Sequence, residues 1–247
     1  MTGRISWLLA FTAVAMVGCG DSDPSATLSK PPSRDAVKTD GEISAVAAKD
    51  KSDANAPEKP QATVGDWLEG DDRIELDLDF NLTNQDGDTV NLADLNGKPI
   101  AVTFFFTSCP NPNMCPLIVL TMAHLQRDLE KAGLTDDVHT LLISYDPTRD
   151  TPERMKKYGA DRGFRFDNGM MLRPGMDEYI DLLHALSISI QPLSDGTINH
   201  VRELLIIDAD GRYVRDYHGE IWDNQMVLDD LRRLVAEKQN PGVSPAD

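Results

Sequence analysis

The chain has 247 residues, enough for one sizeable domain with additional segments, and carries 41 Asp and Glu against 24 Lys and Arg, a formal net charge of −17. So acidic a chain lacks the basic face that neutralises phosphates, which argues against a nucleic-acid partner; the plainest meaning of the charge is solubility. The three cysteines, Cys19, Cys109 and Cys115, are too few for a disulfide scaffold. With the first lying in a targeting signal, the other two suit one redox pair or two metal ligands.

Residues 1–19 read as a lipoprotein-type export signal. Arg4 supplies the positive start, and Ile5–Val17 form an apolar core shorter than the ~20 residues of a comfortable membrane span. The core ends Met16-Val17-Gly18-Cys19, which resembles the bacterial lipobox, where the cysteine becomes the first mature residue and carries lipid. The alternative is an uncleaved N-terminal anchor. Both readings put the domain outside the cytoplasm, on the periplasmic side and tethered to the cell membrane, where disulfides persist. Residues 20–63 are expected to be a disordered linker: Ser, Ala, Pro, Asp and Lys dominate, and no aromatic residue occurs between Phe11 and Trp67. Such a stretch cannot bury enough apolar area to offset its ordering entropy.

The folded domain is expected over residues 64–240, with a short flexible tail at 241–247. Ile74, Leu76, Leu78, Phe80 and Leu82 alternate with polar residues, the period of a half-buried strand. Asn84–Gly87 turns the chain into a return strand, Thr89–Leu92, so an N-terminal hairpin is expected. Ile100–Phe106 is a continuous apolar, β-branched and aromatic run that ends in Thr107-Ser108 and then Cys109-Pro110. Pro116–Lys131 reads as a helix: Pro116 suits the first helical position, Ile118, Met122, Leu125 and Leu129 form the apolar stripe, and Gln126, Arg127, Asp128 and Lys131 lie opposite. His139–Tyr145 is a second buried strand. Thr151-Pro152-Glu153 opens another helix with a cap, a proline and an acid, and Met176, Tyr179, Ile180, Leu183 and Leu186 mark one face of a further one. A polar loop at 192–198 precedes a strong strand, Val201–Asp208, which turns at Asp208–Gly211 into Arg212–Tyr217. Asp223 then caps a last amphipathic helix. Helices crossing between strands imply parallel pairing, and the final tight turn implies an antiparallel pair. The order is α/β and thioredoxin-like, with an N-terminal hairpin and a middle insertion.

The chemistry concentrates in Cys109-Pro110-Asn111-Pro112-Asn113-Met114-Cys115-Pro116. At a strand-to-helix turn the backbone N–H groups and the helix dipole favour thiolate over thiol. Thiolate is both the nucleophile of disulfide exchange and a soft ligand for copper(I). Five intervening residues permit closure to a disulfide or a more open bite around a metal, and the spacing does not choose between them. Of the five histidines, His124 and His184 fall inside helices, His139 starts a strand and His218 follows the last one. His200 directly precedes the Val201 strand, whose entrance in a thioredoxin-type sheet faces the cysteine loop, so it is the candidate third ligand.

Taken together, FNLTNQDGDTVNLADLNGKP, FFFTSCP and the second CP, SYDPTRDTP, NHVRELLIIDADG and GEIW resemble the Sco/SenC family of copper-binding proteins, over about Asp79–Leu234. The resemblance implies copper, as copper(I), copper(II) or both, held by Cys109, Cys115 and His200. It also implies a Cys109–Cys115 redox pair able to form a disulfide, Asp146 as a supporting acidic group or turn former, and the copper-bearing subunit of cytochrome c oxidase as partner. The function so implied is metallochaperone, with thiol–disulfide reductase as the alternative and enzyme status open. A peroxide-reducing enzyme fits less well, since the Thr and Arg its cysteine would need are not evident. One departure stands out: the family pattern has three residues between the cysteines, and this chain has five.

Overall fold

The computed structural model describes residues 62–240, so the expected signal, Cys19, most of the linker and the tail lie outside the described residues. The elements run, in chain order, β1 (Thr63–Val64), β2 (Ile74–Glu75), β3 (Asn81–Asn84), β4 (Thr89–Asn91), β5 (Ile100–Phe105), α1 (Cys115–Lys131), β6 (His139–Ser144), α2 (Pro152–Ala160), β7 (Gly169–Pro174), α3 (Tyr179–Ala185), β8 (Ile190–Pro192), β9 (Ile198–His200), β10 (Arg202–Ile207), β11 (Arg212–Gly219) and α4 (Asn224–Gln239). β1 begins at Thr63, the last residue assigned to the linker.

β5 is the strand that the sheet is built around. All six of its residues are buried, as expected of an unbroken apolar run with cover on both faces. It pairs in parallel with β6 and antiparallel with β10, and the sheet order is β1-β11-β10-β5-β6-β7-β3-β4. The parallel β5–β6–β7 set and the antiparallel β10–β11 pair follow the topology expected from the connections. α1 lies against β5, β6 and α4, and α2 lies against β7. The result is a mixed α/β, thioredoxin-like fold.

Four details differ from the pattern expected of the sequence. The alternating run from Ile74 is not one strand: Ile74–Glu75 pairs with β11, whereas Asn81–Asn84 pairs with β7 and β4 near the other edge. Alternation gives one face per strand but does not say that one strand runs throughout. β7 has no clear alternating signal, because both its neighbours and its burial come from the tertiary fold. The polar stretch around 192–198 forms a small hairpin, β8–β9, with Ile190 opposite His200. Gln126, assigned to a polar face, is buried. Its amide nitrogen donates to Thr140 Oγ1 (2.9 Å), the Arg165 carbonyl (2.8 Å) and Asn168 Oδ1 (3.0 Å), and its oxygen accepts from the Arg165 amide (2.8 Å). Full pairing of this kind is what allows a buried amide in a core.

Candidate metal centre

The carboxyl end of β5 and the amino end of α1 open at the same end of the sheet, where ligands of open α/β folds gather. β5 delivers Phe106, Thr107 and Ser108 to that end, the loop carries Cys109, and α1 begins at Cys115 with Pro116 in its first turn. β10 runs antiparallel to β5, with Leu204 opposite Thr103. That register, continued, brings His200 level with Thr107. The sheet therefore joins the imidazole to the loop, although Cys115 and His200 are 85 residues apart in the chain.

His200 Nε2 stands 3.6 Å from Cys115 Sγ, and Nδ1 lies 2.9 Å from the Val201 carbonyl oxygen. A carbonyl can only accept, so Nδ1 carries a proton there, and Nε2 is the nitrogen turned toward the sulfur. Fixing the tautomer through a backbone carbonyl is how metal-binding histidines are commonly prepared. The ring is held from its sides by Tyr145, centroid to centroid 4.7 Å, and edge-on by Phe106 at 5.9 Å.

Both cysteines are free in this structure, the reduced form of the expected pair. Cys115 is fully buried and Cys109 is half-buried. The Cys109 thiol is lowered from 9.0 to about 5, first by the hydrogen bond from the Cys115 thiol; burial opposes this, and the Cys115 and Asn111 backbones assist. Cys115 is pushed far up by that same bond to Cys109 and by burial. The pair thus behaves as an outer thiolate and an inner thiol sharing one proton. Among the described residues, no group of three or more His, Cys, Asp or Glu side chains is already closed tightly enough to hold a metal ion. Cys109, Cys115 and His200 form a chain of contacts rather than a closed cage. As a donor set, two sulfurs and one imidazole suit copper(I).

Asp146 is placed differently from the three donors. Its carboxylate pairs with Arg149 and accepts from the Arg149 amide at 3.3 Å, and its backbone carbonyl caps the turn by accepting from the Arg149 and Asp150 amides. Arg149 Nη2 donates to the Gly196 carbonyl at 2.7 Å. Asp146 is both a turn former and, through Arg149, a brace on the hairpin that ends at His200.

Other supporting residues escaped sequence reading. Arg202, two residues after His200, donates from Nε to the Gly219 carbonyl (2.9 Å) and from Nη1 to the Asn113 carbonyl (3.0 Å), and it pairs with Glu220. The same Nη1 lies 3.7 Å from Met114 Sδ, so that thioether packs on a guanidinium. Arg154 Nη2 donates to Ser108 Oγ at 3.1 Å. The long inter-cysteine loop is therefore clamped near both ends. Beneath it, Asp150, fully buried, accepts from the Thr107 amide (3.2 Å), Thr107 Oγ1 (2.5 Å) and Ser144 Oγ (2.6 Å). No periodicity or motif spacing marks these groups; only the Arg and Asp of SYDPTRDTP carried a hint.

A thioredoxin-like sheet that sets a reduced dithiol at a strand-to-helix turn, with an imidazole facing the inner sulfur, defines a dithiol–histidine protein of that fold. The SCO1/SenC family model matches residues 69–236, and the chain belongs to this family. It is similar to a SCO1/SenC family lipoprotein from Bacillus anthracis str. Ames (TM-score 0.59, 26% identity, covering 66% of this chain and 98% of that one). It is also similar to BsSco, a member of the Sco family of cytochrome c oxidase assembly proteins in which a disulfide switch was identified (TM-score 0.58, 26% identity, 67% and 96%). A third similar structure is Bradyrhizobium japonicum ScoI with copper bound (TM-score 0.53, 30% identity, 63% and 96%).

Proposed function

We propose that this protein binds copper as cargo through Cys109, Cys115 and His200 and passes it on during assembly of the copper centre of cytochrome c oxidase. The observation that carries the reading is the orientation of His200, with Nδ1–H held by a carbonyl and Nε2 aimed at Cys115 Sγ at 3.6 Å. Copper(I) taken by both sulfurs displaces the proton of the Cys115 thiol. Cys109, at the exposed end of the pair, is the ligand an incoming partner sulfur reaches first, so handover proceeds by exchange of one ligand at a time. Copper-bound ScoI and the assembly role of BsSco support the reading. Titration of the fully reduced chain with copper(I) should saturate at one equivalent. His200→Ala should lose most of that affinity while thiol–disulfide exchange with a small disulfide persists. Exchange lost with copper still bound would refute it.

A second reading has its own observation. A half-buried Cys109 lowered to about 5 beside a protonated Cys115 is the arrangement of an attacking thiolate and its resolving partner. Attack by Cys109 on a partner disulfide, followed by attack of Cys115 on the mixed disulfide, would leave the partner's two cysteines reduced and close Cys109–Cys115. Reduction and copper delivery are compatible, since a copper site built on cysteines needs them reduced.

The tether is part of the proposal. Among the described residues no helix is long and apolar enough to cross a membrane. The lipobox-like ending at Cys19, with the lipoprotein relative, supports a lipid anchor on the periplasmic face. Cys19→Ser should release the protein into soluble extracts; retention in the membrane would favour an uncleaved anchor.

A further inference from the structure

A cavity of about 330 Å³ has neither cysteine nor His200 in its lining, and is walled by Leu76, Leu205 and Ile188 among its apolar residues and by Glu203 and Asp216. Its volume falls in the lower part of the range of small-molecule sites, roughly 300–1,000 Å³. The β10–β11 register puts Leu205 opposite Asp216 and Glu203 opposite His218, so these side chains share one face of the sheet. The two carboxylates are not equivalent. Asp216 is engaged at both oxygens, accepting from the Tyr213 hydroxyl at 2.7 Å and standing 2.6 Å from His218 Nδ1. Glu203 Oε2 is buried and has no hydrogen-bond partner among the described residues. A buried carboxylate oxygen left without a donor costs free energy, so it requires an explanation.

We propose that this cavity is a binding site for a small organic ammonium ion with an apolar body, its N–H donating to Glu203 and its hydrocarbon part lying on Leu76, Ile188 and Leu205. The chemistry selects that class. The leucine and isoleucine side chains suit a hydrocarbon body, and the Glu203 carboxylate in the same lining supplies the acceptor. Burial and the negative charge of Asp216 hold the Glu203 carboxyl above its ordinary range, His218 opposing, so a bound cation relieves a repulsion already present. The inference rests on the sheet face and not on the copper reading.

The test is titration of the full-length reduced protein with 2-phenylethylamine, followed by calorimetry and by amide chemical shifts. Saturable binding with Kd near ~1 mM or tighter is expected for a ligand of that size, with shifts centred on Leu76, Ser187 and Leu205. Glu203→Gln should weaken it about tenfold, the scale of one charge-assisted hydrogen bond. Asp94→Asn, the same charge change at an exposed position, should leave it unaltered. Leu76→Trp, at a half-buried wall position, should abolish it. Absence of saturation in the unmodified protein overturns the proposal. So do equal losses in the Glu203 and Asp94 variants, which would indicate diffuse attraction to an acidic surface. Binding of neutral 2-phenylethanol as tight as the amine overturns it too, since the cleft would then have no preference for a cation.

Discussion

Copper(I) loading should release close to one proton per ion at about pH 8, and the count follows from the geometry of the dithiol. Two ordinary thiols at 9.0 would each be about 90% protonated at that pH, and their conversion to thiolate ligands would release about 1.8 protons. Here Cys109 sits at about 5 because the Cys115 thiol donates to it, so only about 0.1% of it is protonated at pH 8. Cys115 is pushed upward and keeps its proton until a metal displaces it. His200, with its proton committed to the Val201 carbonyl on Nδ1, binds through Nε2 without losing one. An acid whose folded value is depressed holds fewer protons before loading and so gives up fewer. As pH falls through about 5, Cys109 regains its proton and the count rises, with apparent affinity falling more steeply. Anaerobic calorimetry in buffers of different ionisation enthalpy measures the number directly. A release near two at pH 8 would mean that the thiols do not share a proton, and the asymmetry assigned to the pair would be wrong.

Three further outcomes are expected. Iodoacetamide should modify Cys109 before Cys115, with a rate that rises through a midpoint near pH 5; peptide mapping that finds Cys115 labelled first would contradict the burial pattern. Asp150→Ala removes the acceptor of three hydrogen bonds in a fully buried position. It should cost about 3 kcal/mol and lower Tm by roughly 6–12 °C in a domain of this size, readable by calorimetry; a change under ~2 °C would show that the loop re-forms its contacts elsewhere. Arg202→Ala frees the Asn113 carbonyl and Met114 from the strand that follows His200 and should weaken copper(I) about tenfold with unchanged circular dichroism. Arg202→Lys should not restore it, since one ammonium cannot span the Gly219, Asn113 and Glu220 partners.

Much of the scaffold was legible because burial leaves a direct mark on composition. The six buried residues of β5, the Thr151 cap whose side chain accepts from the Arg154 amide, Pro152 in the first turn of α2, and the Asp223 cap of α4 are local features, each written in a few adjacent residues. β7 and the β8–β9 hairpin were not legible. Their residues become strands only because an edge or partner is present, and β-pairing depends more on context than helix formation does. Gln126 misled for a related reason: periodicity assigns it outward, and only the Thr140, Arg165 and Asn168 partners make its burial tolerable.

At the site, the cysteines and their place at a strand-to-helix turn were plain in the chain, and the expected thioredoxin-type sheet singled out His200 at the entrance of its strand. Their relation was not. The sequence alone determined which donors exist, which strand is central and where the helices start, because those depend on neighbours within a few residues. The tertiary structure decided that the imidazole meets Cys115 rather than Cys109, that Nε2 is the nitrogen facing the sulfur, that Cys109 is the more accessible of the two sulfurs, and that Arg149, Arg202 and Asp150 hold the loop and hairpin in place. Each of those outcomes depends on distances between segments tens of residues apart, set by the antiparallel register of β10 on β5 and by burial, and neither quantity exists until the sheet has closed.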